Sequence, residues 1–326
     1  MQSNDGGEWP PFGNASVQRL DCSSADAGAT RKAPRVNPSD GPHYVYHYTT
    51  SSALLPIAFD GGLHLGRLSE MNDPRESRDW EGISSRPILF EKLDEEIRRF
   101  KERIRIASFS AGAQDETETT KTSVHGYGKP TIWAHYADRH RGVCLAFDRH
   151  LVEAGLRRGL KETLDESGGL LRSRFVRYVE NASDDVAYDS VQIPEGSELS
   201  DAVTSHYLRH FEDLFFTKHL DWRAENEWRW VIYDPADSAP RCIDMVGALV
   251  GVFLGADFDP SQFPSVRELI EALGADDVTM GKLAWDRLVP NLDHVHDIEG
   301  RLVIEPSMRA RWGISARGTK PEDGRG

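Results

Sequence analysis

Glu227 has the widest chemical scope of any residue in this sequence. It opens the run Glu227-Trp228-Arg229-Trp230-Val231-Ile232-Tyr233, in which polar and large apolar residues alternate. Alternation along a strand places Glu227, Arg229 and Val231 on one face and Trp228, Trp230 and Ile232 on the other. The same face is expected to carry Glu225. A carboxylate held there can stabilise positive charge that develops on a sugar ring as a glycosidic bond breaks. It can equally well pair with Arg229 or Lys218, because an ionised group among tryptophans is costly without a partner. His47 stands in the aromatic run Tyr44-Val45-Tyr46-His47-Tyr48-Thr49. Its ring nitrogens can hold a hydroxyl, or simply bond the backbone of a neighbouring strand. Tyr48 and Tyr136 can stack a planar ring, although aromatics at such positions also serve as core. Trp133, Trp222 and Trp228 read as core. Asn72 and Asp73 could touch a ligand, but helix capping already accounts for their neighbourhood. Asp73 suits an N-cap, Pro74 the first helical position, and Glu76 the capping-box position.

No metal site is expected. His135 and His140 miss the i, i+4 spacing of a helical pair, and His294 and His296 lack a third ligand nearby. The three cysteines, Cys22, Cys144 and Cys242, are far apart and form no CxxC pair, which argues against a disulfide scaffold. Neither GxGxxG nor GxxxxGK[ST] occurs.

The elements that must position these residues follow from periodicity. Residues 43–49 are β-branched and aromatic and read as a strand. A helix capped near Thr50, Ser51 and Ser52 stops at Gly61-Gly62, and Leu63 to Leu68 is extended. Phe90, Leu93, Ile97 and Phe100 recur at helical spacing, and Ile104 to Ser110 alternates as a strand. The polar stretch 111–128 reads as a long loop or lid. Pro130 opens a helix that carries Trp133, Tyr136 and His140 and ends at Gly142. Val143 to Phe147 is a buried strand. Further strands are expected at 175–179, 227–233 and 248–254, with helices at 203–218 and 265–273. Irregular alternation of helices and strands favours an α+β fold over a doubly wound sheet. Residues 1–41 and 315–326 are rich in small and polar residues and are expected to be disordered tails around a single α+β domain at 43–314.

Several phrases carry a family resemblance. They are Tyr46-His47-Tyr48-Thr49, Met71-Asn72-Asp73-Pro74, Ser108-Phe109-Ser110, Trp133-Ala134-His135-Tyr136-Ala137, Arg141 through Asp148, Trp222 with Glu225 through Arg229, and Val250 through Gly255. Together they resemble the bacterial family called domain of unknown function 2971, over about residues 44–258. The stretch 111–128 departs from that pattern. A second resemblance is to ADP-ribosyltransferases, which split NAD between nicotinamide and ribose. The order His47, then Ser108-Phe109-Ser110 or Tyr136, then Glu225-x-Glu227 is similar to theirs. This likeness implies two small twisted, mainly antiparallel sheets around a cleft, with peripheral helices. It also implies Glu227 as the catalytic carboxylate and NAD as co-substrate, bound by His47, Tyr48, Thr49, Ser108, Ser110, Tyr136 and Glu225. Transfer of ADP-ribose or hydrolysis of NAD would follow, in a toxin or phage-defence setting. The rival expectation is a sensor module that binds a nucleotide or a protein without catalysis.

Composition narrows the partners. The formal net charge of -14 gives no overall attraction to duplex nucleic acid or anionic lipid. No run of about 18 apolar residues offers a membrane span. Met1 to Pro10 lacks the pattern of a secretory signal, so a cytoplasmic location is expected.

Overall fold

A computed structural model describes residues 43–77, 90–112, 125–180, 191–237, 242–275, 278–286, 289–298 and 301–305. The tails expected at 1–41 and 315–326, and residues 113–124 of the expected lid, lie outside the described residues.

In chain order the strands are β1 (Tyr44–Thr49), β2 (Gly62–His64), β3 (Gly66–Arg67), β4 (Ile104–Ala111), β5 (Val143–Asp148), β6 (Leu170–Phe175), β7 (Arg177–Val179), β8 (Thr217–His219), β9 (Glu227–Tyr233), β10 (Cys242–Asp244), β11 (Leu249–Leu254), β12 (Thr279–Asp286), β13 (Val289–Ile298) and β14 (Arg301–Glu305). The helices are α1 (Leu54–Asp60), α2 (Pro74–Ser77), α3 (Phe90–Glu102), α4 (Pro130–Tyr136), α5 (Arg149–Ser167), α6 (Leu199–Arg209), α7 (Phe211–Phe215) and α8 (Phe263–Ala272).

Helices and sheet are mixed, as expected, but the sheet is not split into two small halves. Ten strands share one sheet in the order β14-β13-β12-β11-β5-β1-β4-β9-β6, with β3 attached to β4 off that path. Its strand pairs are antiparallel except β11 with β12. The halves fuse because β5 pairs with β1 on one side and β11 on the other. Two minor sheets, β10 with β2 and β7 with β8, lie beside it.

Helices cover both faces. On one face Val152, Leu156, Leu160 and Leu164 of α5 pack with Leu54 and Ile57 of α1 and with Phe263, Val266 and Leu269 of α8. Trp228, Trp230 and Ile232 of β9 point into this layer. On the other face Leu93, Ile97 and Phe100 of α3 meet Val203 and Tyr207 of α6 and Phe211 and Phe215 of α7. The spacing of four between Val152, Leu156, Leu160 and Leu164 is a helical signal present in the sequence.

Local chemistry explains several element ends. Gly61 adopts φ 65 after α1, the left-handed conformation that suits glycine at a helix end. The helix expected at 203–218 is broken at His210 and again at Phe216, which frees Thr217–His219 to pair with β7. The strand expected at 175–179 is likewise divided, β6 ending at Phe175 and β7 starting at Arg177. After α4, Asp138, Arg139 and His140 all have positive φ, so the helix stops before His140 is reached.

Candidate functional site

The site begins with a gap in the sheet. β1 pairs with β4 only at Val45↔Ala111 and Tyr46↔Ser110, while β3 meets the same edge of β4 at Gly66↔Ile106 and Arg67↔Arg105. Between these contacts the edge of β4 is left open. The backbone N–H of Ala111 donates to Asn226 O, on the β9 side. Alternate residues turn their polar groups the other way, so those of Ser108 face the gap. The backbone of Ser108 accepts a hydrogen bond from the His47 ring.

A cavity of about 360 Å³ fills this gap and is lined from both faces of β4. Tyr46, His47 and Tyr48 supply one wall, Ile106 through Ser110 another, and Tyr136 with Ile132 a third. Lys218, Glu225 and Glu227, joined by ion pairs, line it together, and Glu70, Met71 and Asn72 complete the lining. Of the residues singled out in the sequence, His47, Tyr48, Ser108, Ser110, Tyr136, Glu225 and Glu227 all meet here. Thr49 does not: it pairs with Val143 in β5, beyond the cavity.

Glu225 and Glu227 are not two steps along one strand. Glu225 ends a 3-10 turn over Leu220–Glu225, and Asn226 at φ 44 reverses the chain before β9. The Asn226 side chain fixes this reversal by donating to Ala111 O and Gly112 O, each at 2.9 Å. Asparagine tolerates that conformation better than most side chains. Lys129 supports the same corner, donating to Ser110 Oγ at 2.8 Å, Ala111 O at 2.6 Å and Glu225 O at 3.0 Å.

The register Ser110↔Glu227 and Ser108↔Arg229 sets Glu227 and Arg229 on the same face as the two serines. Alternation predicts that face correctly, but not its environment. Glu227 is 3% exposed and Arg229 fully buried, because α6 and α7 cover this side. Arg229 Nε donates to Glu227 Oε1 at 2.6 Å and Nη2 to Oε2 at 3.0 Å. Lys218 Nζ lies 2.8 Å from Glu227 Oε2 and 2.9 Å from Glu225 Oε2. The other Glu225 oxygen accepts from the Tyr136 hydroxyl at 2.5 Å. Behind them Arg229 also binds both oxygens of Glu76 and the Phe215 carbonyl. Glu76 therefore serves as a buried counter-ion for Arg229, not as a capping-box residue. Asp73 does cap α2, accepting from Arg75 N–H at 2.9 Å.

The electrostatics follow from burial and pairing. Burial pushes the Glu227 carboxyl up, but Arg229 and then Lys218 more than reverse this and hold it well below the usual carboxylate range. Burial lowers Lys218 and Arg229, and the carboxylates more than restore them, so both remain charged. Burial, and then the adjacent Glu225, push the Tyr136 phenol up, so it acts as a neutral donor. Burial brings His47 down to about 4 against the weaker opposing bond to Ser108, so it is neutral at pH 7. Ser108 Oγ has no hydrogen-bond partner among the described residues.

Lys218 and Asn72 belong to the site more fully than their sequence context indicates. Asn72 lines the cavity and hydrogen-bonds Tyr136. Lys218 follows a helical pattern in sequence, and only its pairing opposite Tyr178 reveals its role. Among the described residues no group of three or more His, Cys, Asp or Glu side chains could hold a metal ion. No described helix is long and apolar enough to cross a membrane.

Residues 132–230 match the model of the family described as "Protein of unknown function (DUF2971)". This stretch supplies Tyr136, Lys218, Glu225 and Glu227 but neither β1 nor β4. No curated protein and no solved structure matches the chain.

Proposed function

We propose that the chain binds a small ligand, built from a planar ring and a hydroxylated sugar, in the gap between β1, β3 and β4. A nucleoside or nucleotide has that form. The observation that carries this reading is the meeting of His47, Ser108, Tyr136 and Glu225 on one cavity of about 360 Å³. Small-molecule sites typically span ~300–1,000 Å³, with a few placed polar groups on an otherwise apolar wall. Here the aromatic rings of Tyr46 and Tyr48 and the side chains of Ile106 and Phe109 offer the apolar wall. Neutral His47 spends its one N–H on the Ser108 backbone and keeps its other ring nitrogen as an acceptor, and Ser108 Oγ is unspent. These groups suit ribose hydroxyls and ring edges.

Cleavage of NAD is the second reading, and it rests on the two carboxylates of Glu225 and Glu227 in the lining of the same cavity. An ADP-ribosyltransferase-like arrangement and NAD as co-substrate belong to this reading. It ranks second because every oxygen of both carboxylates is already bonded to Lys218, Arg229 or Tyr136. A group that must respond to charge in a transition state is better placed with an oxygen facing the substrate.

Titration calorimetry with adenosine, ADP-ribose and NAD, beside a nicotinamide-release assay, separates the two. We expect saturable binding of at least one probe and weakening of about tenfold in Tyr136→Ala, in line with loss of a buried aromatic contact. Nicotinamide release by the native chain that disappears in Glu225→Gln promotes the second reading. Failure of all three probes to bind sinks the first.

A further inference from the structure

Resting on the ring-and-sugar reading of this cavity, we infer that its occupant is a cationic ring compound without phosphate. Among the described residues, the charged ones lining the cavity are Glu70, Glu225 and Glu227 against Lys218, with no arginine among them. The cations beside it have no capacity left for an anion. Arg229 carries five N–H donors, and they are directed at Glu227, Glu76 and the Phe215 carbonyl. Lys129 directs its three at Ser110 Oγ, Ala111 O and Glu225 O. Lys218 bridges two carboxylates and lies over the Trp222 ring, 5.5 Å from its centroid.

A phosphate oxygen needs a charged or backbone donor with room to turn toward it. Here the N–H of Ser108 on the open edge of β4 is a neutral donor, but a phosphate reaching it would meet an excess of carboxylate inside a partly desolvated space, where like charges repel strongly. A positively charged ring gains from the same field, and the lining includes the aromatic residues Tyr46, Tyr48 and Tyr136. An NAD molecule could enter only by its nicotinamide ring, with the pyrophosphate left in solvent.

The test compares nicotinamide riboside with nicotinamide mononucleotide, which adds only the phosphate, by calorimetry on the full chain near pH 8, where histidine is neutral. We expect the riboside to bind at least about tenfold more tightly, with an advantage that shrinks as salt is added. Glu70 is an exposed lining residue whose Oε2 accepts from Arg67 N–H at 3.1 Å. Glu70→Gln keeps an acceptor for that bond, and should weaken riboside binding roughly two- to fivefold without weakening the mononucleotide. Equal or tighter binding of the mononucleotide overturns the inference and leaves the ring-and-sugar reading standing. Binding of adenosine but not of the riboside does the same. If adenosine, the riboside and the mononucleotide all fail to bind, the ring-and-sugar reading falls and the inference with it.

Discussion

Glu227→Gln separates a structural carboxylate from a chemically poised one. Glu227 is 3% exposed and accepts from Arg229 Nε at 2.6 Å, Arg229 Nη2 at 3.0 Å and Lys218 Nζ at 2.8 Å. Glutamine has nearly the same shape, but one of its oxygens becomes an amide that donates. That amide must face Lys218 or Arg229, both of which are donors only. Charge-assisted bonds of this kind contribute about 1.5–3 kcal/mol each, and breaking a buried ion pair costs about 3–5 kcal/mol. The loss falls at the lower end, about 3 kcal/mol, because Glu76 and Glu225 still hold the two cations. The substitution also removes the excess negative charge of three carboxylates against two cations.

Urea unfolding at neutral pH, followed by tryptophan fluorescence, measures this directly, since Trp228 and Trp230 flank the site in β9. The pH dependence adds a second readout. The carboxyl of Glu227 is held below its ordinary value of 4.5 in the folded chain. Its contribution is therefore fully present above 4.5 and is lost as pH falls through the folded value. The gap between native and variant proteins should narrow in that acid window and stay constant above it. A loss below about 1 kcal/mol at neutral pH would refute the network reading. Activity that vanished with stability intact would point the same way, since stability is commonly sacrificed where a charge is kept for function.

His47 gives the other pH prediction: burial brings it from 6.5 to about 4, which is worth up to about 3 kcal/mol at 1.36 kcal/mol per pH unit, less a discount for its partial exposure to the cavity. The depressed value means that this stability is complete above 6.5 and drains away as pH falls toward about 4. In His47→Gln that part of the slope should be missing from urea unfolding at the two ends of the window; an identical slope in both proteins contradicts the burial account. Asp73→Ala removes the α2 cap but also a carboxylate oxygen that has no hydrogen-bond partner among the described residues. The two effects oppose one another, so thermal unfolding should show a small loss, about 0.5–1 kcal/mol. Affinity for adenosine should be unchanged, and its selective disappearance would make Asp73 part of the binding site.

What sequence makes legible here is local, and what it hides is coordination across distance. The alternation in Glu227–Tyr233 correctly separates Trp228 and Trp230 from Glu227 and Arg229, since a strand's pleat acts on neighbours. It suggests that the polar side faces water. It does not, because α6 and α7 lie over it and Glu76, 153 positions away, completes the ion pair. Likewise His47, Ser108 and Tyr136 can be nominated from residue type and order. That they meet depends on β4 sharing one edge between β1 and β3, a pairing without a local signature. The two-residue register of β3 is too short for any periodicity to announce it. Glu225 shows the converse. Its spacing from Glu227 imitates a strand, and only the left-handed Asn226 between them turns it off the strand and toward Tyr136.

The same ion network bears on catalysis and recognition together. Three carboxylates and two cations, linked from Tyr136 through Glu225, Lys218, Glu227 and Arg229 to Glu76, tie α4, β8, β9 and α2 to one another. A network that rigid fixes the cavity's polar lining. It also uses up the groups that would otherwise transfer protons: Glu227 stays ionised, the Tyr136 phenol stays protonated, and His47 stays neutral. General acid–base catalysis works best with a group whose pKa lies near the working pH, and none of these three is held there. A preset surface of neutral polar groups, aromatic residues and residual negative charge recognises a ligand without reorganising. Specificity in such a site comes from the cost of leaving its polar groups unmatched.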